Sequence, residues 1–552
     1  MVSQLQTIKL FTCKPKMPKQ FQYILLISIL LCLFPAAGAT QVPFPLNHSL
    51  NLQLENQLYN GKDITFTSLK PLYPYDIAEG YDLDSLLYPE IYRNYHPHNR
   101  SWFNRKLLYE DFYVKDTSDI RLEINPAINL SGLQNTTGNK DLLYTNTRAV
   151  RAHANFMDRV YVTTMFYENQ KFFPDYLNQF YKNYRVIPGY GWSKSFKQGG
   201  RDYYWASGQL AYRPDENNTL VAGHGKQFVG NGYRSMLLSD VPYQFPHLQY
   251  MYKDENLQYS KTVALLKSRL DIENPVRPGE EKTGVFHYVS AGIGDHLELG
   301  LFEGTIVNNP DSSGNYNFYA GYVNPMPLLN SLLPFNNMET HSLVGLNVHY
   351  RPVHALSLYG QLALDQPVKH SSQVPSSEKW SGQLGIKLYE PFQINNLVIN
   401  SEFNLAASSS YGDMDPKLSY THYHQPLAHL QGGNFTEFVN ILHYRKNRFS
   451  LHAEMLWSRY GNTSTNIHSG KHIQLSSESI VQGNKAGQFL QGEITRLRFM
   501  EIQLAWLINP AYDMKLFAGY RLREESNQEA ATSNAFISFG IKTSLLNTYY
   551  DF

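Results

Sequence analysis

The residues best suited to chemistry gather in one run, Gly223-His224-Gly225-Lys226-Gln227-Phe228-Val229-Gly230-Asn231-Gly232-Tyr233-Arg234-Ser235-Met236-Leu237-Leu238-Ser239-Asp240, followed by Pro242 and Pro246. Aromatic rings beside Asn, Arg and Asp suit sugars, whose apolar faces stack while their hydroxyls need fixed polar partners. On that chemistry Lys226, Asn231, Tyr233, Arg234 and Asp240 are the candidate ligand contacts, with Arg234 and Asp240 as hydrogen-bonding groups and Tyr233 as a stacking face. Gly225, Gly230 and Gly232 allow close backbone approach and positive φ, so the run equally fits a structural loop folded into the mouth of a larger fold. It is not a phosphate loop, because the glycine spacing fails and no Ser or Thr follows Lys226. The pairs His96/His98 and His422/His424 each lack a third metal ligand and read as solvated histidines. No catalytic signature or cofactor motif emerges, so the expectation is a non-enzymatic protein without a cofactor or metal.

The elements that position this run follow from composition and patterning. The chain has 552 residues, which implies several domains or one large closed architecture. Lys plus Arg number 48 against 47 for Asp plus Glu, and the first 39 residues contribute lysines only. The remainder is therefore slightly acidic, which removes the footprint that nucleic-acid binding needs. Lys14, Lys16 and Lys19 precede an apolar run from Phe21 to Phe34, and Ala37-Gly38-Ala39 closes it, the pattern of a cleaved secretory signal peptide over residues 1–39. Both cysteines, Cys13 and Cys32, lie in this leader, so neither disulfides nor thiol chemistry is expected in the exported chain.

No later segment offers the ~20 apolar residues of a spanning helix, and the mean hydropathy is −0.40. A transmembrane barrel remains, because its strands are short and alternate polar with apolar side chains. From about residue 120 onward the chain is a series of period-2 segments. Val344, Leu346, Val348 and Tyr350 share one face against Leu343, Gly345, Asn347 and His349; beyond Pro352, Leu356, Leu358, Leu362 and Leu364 continue the greasy face. The connections take turns between two lengths. Short ones fall at Phe156 to Asp158, Pro214 to Asn218, Asp254 to Asn256, Gly294-Asp295, Pro352 to His354, Glu390 to Asn396, Lys446-Asn447 and Pro510 to Asp513. Longer polar stretches separate them, the last at Glu524 to Ser533, and Tyr316 to Tyr322 is placed inside one of them. Eighteen antiparallel strands with short turns on one rim and long loops on the other define an outer-membrane barrel over residues 120–552. Residues 40–119 precede it as a periplasmic, partly helical cap or plug, with Ser101 an N-cap. Tyr212, Tyr350, Tyr389 and Tyr444 each stand at the entrance to a short turn and are expected in an interfacial aromatic belt. Phe552 is expected to close a final amphipathic strand.

The stretch Gly225 to Asp240 resembles the signature of the capsule-assembly Wzi family, in particular its gliding-motility RemB-like branch. Leu122-Glu123-Ile124-Asn125-Pro126 and Leu143-Tyr144-Thr145-Asn146-Thr147-Arg148 are similar to it as well. The resemblance implies an 18-stranded outer-membrane barrel with a periplasmic helical cap, and a surface role in holding polysaccharide or in gliding. Outer-membrane lipid, surface polysaccharide and motility or surface proteins are the implied partners. The chain departs from the capsule members at Phe228-Val229-Gly230-Asn231-Gly232, where they carry a Trp-Gly-Pro-Gly-like run. A porin-type channel is the alternative, since a barrel of this strand number can enclose water.

Overall fold

Alternate residues of each strand face different solvents, and the computed structural model shows the result as one closed antiparallel ring. It describes residues 44–59, 66–73, 83–93, 95–137, 142–157, 159–269, 280–309, 315–333, 338–365, 379–462, 469–474, 488–543 and 545–552. The expected leader over residues 1–39 lies outside the described residues. Eighteen strands form the wall: β1 Ile120–Asn135, β2 Leu142–Phe156, β3 Val160–Phe172, β4 Gly200–Tyr212, β5 Asn218–Gly225, β6 Phe245–Lys253, β7 Leu257–Arg269, β8 Glu280–Ile293, β9 Leu297–Val307, β10 Thr340–Val353, β11 Leu356–Asp365, β12 Trp380–Tyr389, β13 Leu397–Ala406, β14 Phe435–Lys446, β15 Phe449–Asn462, β16 Glu493–Asn509, β17 Met514–Ser526 and β18 Ala531–Lys542. Each pairs antiparallel with the next, and β18 closes on β1 from Phe536↔Asn135 to Lys542↔Asn129. With each strand laddered to the next around the ring, such a wall can sit in lipid, and the protein is a β-barrel of the bacterial outer membrane.

The eight short turns fall where the sequence puts them, and Ala320–Tyr322 is a 3-10 turn within the β9–β10 loop. The last connection is shorter than expected: β17 runs on to Ser526 and β18 starts at Ala531, because Glu524 and Ser533 are themselves a ladder pair. The greasy face points outward, with Leu346, Val348, Tyr350, Leu358, Leu362 and Leu364 exposed on the wall. Tyr350 belongs to that face. Tyr212 shares the outward register of Tyr204 and Leu210, although it is buried. Tyr389 does not belong to that face: it points into the lumen and donates to Glu55 Oε2 at 3.1 Å, because its register, odd against even, overrides its place at the strand end.

The segment before the wall enters the barrel. Helix α1 (His48–Leu58) is capped by Asn47, whose side chain accepts from the Leu50 amide at 3.2 Å. Leu50 and Leu54 pack with Leu72, Leu87, Tyr88, Ile91 and Leu507, while Leu52 joins the lumen cluster. Its polar face is spent on the wall: Glu55 meets Lys387 Nζ at 2.6 Å, and Gln53 bonds His443 at 2.7 Å. Helix α2 (Trp102–Leu108) starts at Ser101, whose Oγ accepts from the Asn104 amide, and a short strand Tyr113–Asp116 then pairs with β1 beyond the end of β18.

The chain end departs from the sequence expectation. The last strand stops at Lys542, and residues 545–552 turn into the lumen instead of extending the wall. Phe552 therefore closes no strand; its ring lies 5.1 Å from Phe180 and its main-chain oxygen accepts from Arg523. Asn547, Tyr549 and Asp551 are the polar groups that draw it inward.

Candidate functional site

The expected ligand run leaves the wall at Gly225 and folds down the lumen before the chain resumes at β6, where Pro246 sits on the outward face. Phe228–Val229 pairs with a short strand, Leu69–Lys70, and the Val229 amide donates to Leu238 O at 2.8 Å. Gly230 (φ +138°) runs against Gln361, and Gly232 against Glu402, so closely that a Cβ at either position would overlap those side chains. Such proximity lets the wall hold the loop by its backbone. Glu402 accepts from the amides of Tyr233 (2.7 Å) and Arg234 (3.1 Å), Gln361 Oε1 from that of Met236 (2.7 Å), and Gln383 Nε2 donates to Arg234 O (3.0 Å).

The five expected contacts are 1–9 % exposed. Lys226 Nζ donates to Asp240 O at 2.9 Å, and Asn231 Nδ2 to Thr67 Oγ1 at 3.0 Å. The Asp240 carboxylate accepts from Tyr549 (2.6 Å) and from Asn547 Nδ2 (2.8 Å), and Tyr549 is also bonded to His48 at 2.7 Å. Arg234 is bracketed by Asp551 and by Glu437 at 3.3 Å, with Tyr233 and Tyr549 rings 4.6 and 5.1 Å from its guanidinium. Burial alone would lower its pKa, but the two carboxylates outweigh burial and hold it well above the ordinary arginine value. Burial brings Lys226 down to about 8 against the opposing pull of Asp240, and Lys70 likewise to about 8 against Glu55. The sequence thus located a tightly bonded cluster, and in the structure its side chains face the barrel's own N-terminal segment and tail. Beside it, between α1 and Lys387, lies a cavity of about 20 Å³, room for about one water.

A second cluster sits where the wall is incomplete. Strands β4 and β5 pair only from Gly208↔His224 to Tyr212↔Leu220, and β6 reaches β7 no higher than His247↔Ala264. Above these points β4 continues to Gly200, where it pairs with the short strand Lys194–Phe196, and β7 to Arg269, with no full-length strand between them among the described residues. Loops fill the gap. His224 Nδ1 and Gln244 Nε2 reach Ala206 O on the β4 side, while on the β7 side His422 Nδ1 accepts from the Lys267 amide at 3.0 Å and the Tyr423 amide donates to Lys267 O at 3.2 Å.

Aromatic rings occupy the space between. Tyr243 lies 5.2 Å from Tyr423 and 5.9 Å from His224, and Trp192 lies 6.0 Å from Tyr423. Tyr204 on the outer face of β4 is 70 % exposed and Trp192 38 %. Tyr423 and His424 form the tip of the Thr421–His422/Gln425–Pro426 hairpin, both with positive φ, +50° and +58°. Two non-glycine residues in that conformation are strained, and surrounding contacts must over-determine them. Burial and the neighbouring Tyr423 push Tyr243 up to about 12, and burial pushes His422 down to about 3, so both are neutral at physiological pH. His422, expected to be solvated, is buried because it caps the open edge of β7. The sequence marks this cluster poorly, since its rings come from four separate segments.

The class defined by this fold is the outer-membrane β-barrel. No protein-family model matches the chain, and no curated protein matches it. Among solved structures it is similar to Wzi, an outer membrane protein involved in group 1 capsule assembly in Escherichia coli, described as a carbohydrate binding β-barrel: 14 % identity, TM-score 0.51, covering 92 % of this chain and 100 % of that one. OprD from Pseudomonas aeruginosa aligns at 10 % identity and TM-score 0.41, over 80 % of this chain and 98 % of that one.

Proposed function

We propose that this chain is a non-enzymatic surface protein that attaches or helps assemble cell-surface polysaccharide, serving capsule retention or gliding, and that glycan stacks on Trp192, Tyr204, Tyr243 and Tyr423. The observation that carries this reading is the aromatic cluster in the wall gap: neutral rings beside His224 and Gln244, open to the outside at Trp192 and Tyr204. The carbohydrate binding stated for Wzi supports it. Lys226, Asn231, Tyr233, Arg234 and Asp240 take part as the residues that hold the loop carrying Tyr243 and Gln244. Residues 40–119 then serve as the plug at the periplasmic rim and 120–552 as the barrel. A channel is disfavoured by the loop, helix and tail that meet around Arg234.

The test is retention of polysaccharide extracted from the organism's own surface by purified protein in detergent. The Trp192→Ala/Tyr204→Ala double variant is expected to lose retention while keeping its heat-modifiable mobility on gels. Undiminished retention by that folded variant, or steady open conductance of the native chain in planar bilayers, overturns the proposal.

A further inference from the structure

The outward face of a barrel strand should be apolar where it meets lipid, and on most of this wall it is. Strands β7 to β9 break the rule. Lys261, His287 and Glu303 point outward together with Tyr259 and Thr305, and Glu303 pairs laterally with Val344, which pairs with the lipid-facing Leu364. Two residues lower on β9, Leu301 and its partner Leu346 are both exposed and apolar. A charge on the lipid face costs ~2–4 kcal/mol near the midplane, so these polar groups require cover at a height where their neighbours already touch acyl chains.

The β9–β10 loop supplies that cover from outside the barrel. Its described part, residues 315–333, folds back over the wall. Lys261 Nζ donates to Asn324 O at 2.5 Å and to Gly321 O at 3.4 Å, and Tyr259 OH donates to Pro325 O at 2.7 Å. Glu303 Oε1 accepts from the amide and hydroxyl of Ser331 at 2.6 and 2.7 Å. Tyr319 is buried against Val285 and Val307, with Tyr322 and Met338 packed alongside. The underside therefore carries the ties to Lys261, Tyr259 and Glu303, with the Tyr319 ring packed beside them. The upper side is the opposite: Val323 is 66 % and Met326 60 % exposed, and Phe318, Leu332 and Leu333 are exposed with them. An aqueous loop of this kind would show five large apolar side chains to water, a surface that soluble faces avoid.

We propose that residues 315–333 form a lobe embedded in the leaflet at the long-loop rim, its Val323–Met326 and Leu332–Leu333 face in contact with lipid acyl chains. Continuity with the lipid-facing band at Leu301, Leu346 and Leu364 identifies the occupant: the lobe replaces the part of the wall that is polar and restores an unbroken oily perimeter. The inference is independent of the glycan reading, because it concerns a different face and different residues.

The experiment uses the full chain with Cys13 and Cys32 changed to Ser and single cysteines introduced by Val323→Cys, Met326→Cys, Leu346→Cys or Asn256→Cys. Each is labelled with a polarity-sensitive fluorophore in phosphatidylcholine vesicles carrying nitroxide-labelled lipid. The Val323 and Met326 labels are expected to be quenched by the lipid nitroxide as strongly as the wall label at 346, and to be shielded from iodide, which quenches the turn label at 256. Iodide access without lipid quenching places the lobe in water and overturns the proposal; shielding from both quenchers assigns the face to a protein partner or second copy and overturns it too. Glu303→Gln with Lys261→Met removes the underside ties, and the Val323 label should then lose its lipid quenching in a barrel that still migrates as folded.

Discussion

Around Arg234 and around Glu303 the same wall faces two buried polar problems, one inside the barrel and one outside, and the solutions differ. Inside, a guanidinium is surrounded by carboxylates from the wall and the tail, so charge is matched by charge. Outside, a carboxylate and an ammonium are met by backbone amides and carbonyls of a loop, and no opposite charge is brought in. The lumen is thus tied together by ions from distant parts of the chain, whereas the outer patch is insulated by a local connection. Removing one partner from the inner set leaves uncompensated buried charge; the outer set can lose its cover in one piece.

The comparison is broken most severely by Arg234→Met. Glu437 and Asp551 then lose their shared buried cation, a loss of ~3–5 kcal/mol, and limited proteolysis should cut the tail and the 226–244 loop while the barrel stays closed. An intact digestion pattern would show that the ions do not hold the plug. Next in size is Leu362→Arg, on the exposed outer face of β11. It should lower the unfolding free energy in vesicles by ~2–4 kcal/mol, and an unchanged denaturant midpoint would deny that this face meets lipid. The smallest effect is a pH dependence. Burial alone would raise Glu55, but Lys387 and Lys70 outweigh it and hold the carboxyl below its ordinary value. A depressed carboxyl contributes stability that is fully present above the unfolded value and lost as pH falls through the folded one. Hydrogen exchange in α1 should therefore be slow at neutral pH and accelerate only on acidification below the usual glutamate range. Exchange that is flat with acid would remove Glu55 as the anchor.

The period-2 pattern and the two connection lengths made strand number and closure legible, because both follow from a wall with different solvents on its faces. The inward Tyr389 was not legible, since Tyr389 and Tyr350 occupy similar places near turns and only register assigns one to the lumen. The tail escaped for another reason. Tyr549 and Asp551 look like strand residues until Asp240 and Arg234, some three hundred positions earlier, are brought beside them. The 226–244 loop was found by its glycines and its mix of rings and charges, yet composition could not say that those charges would be spent internally. The rings of the wall gap come from separate segments, so no local motif announces them.

Chain order separates the inward tail from the closure of the wall. Residues 536–542 sew the last strand to the first, and only the stretch of chain beyond them carries Asp551 to the waiting guanidinium. Sealing of the hoop thus does not draw on the final residues, and a polypeptide lacking them would keep every strand of the perimeter around an unlatched centre.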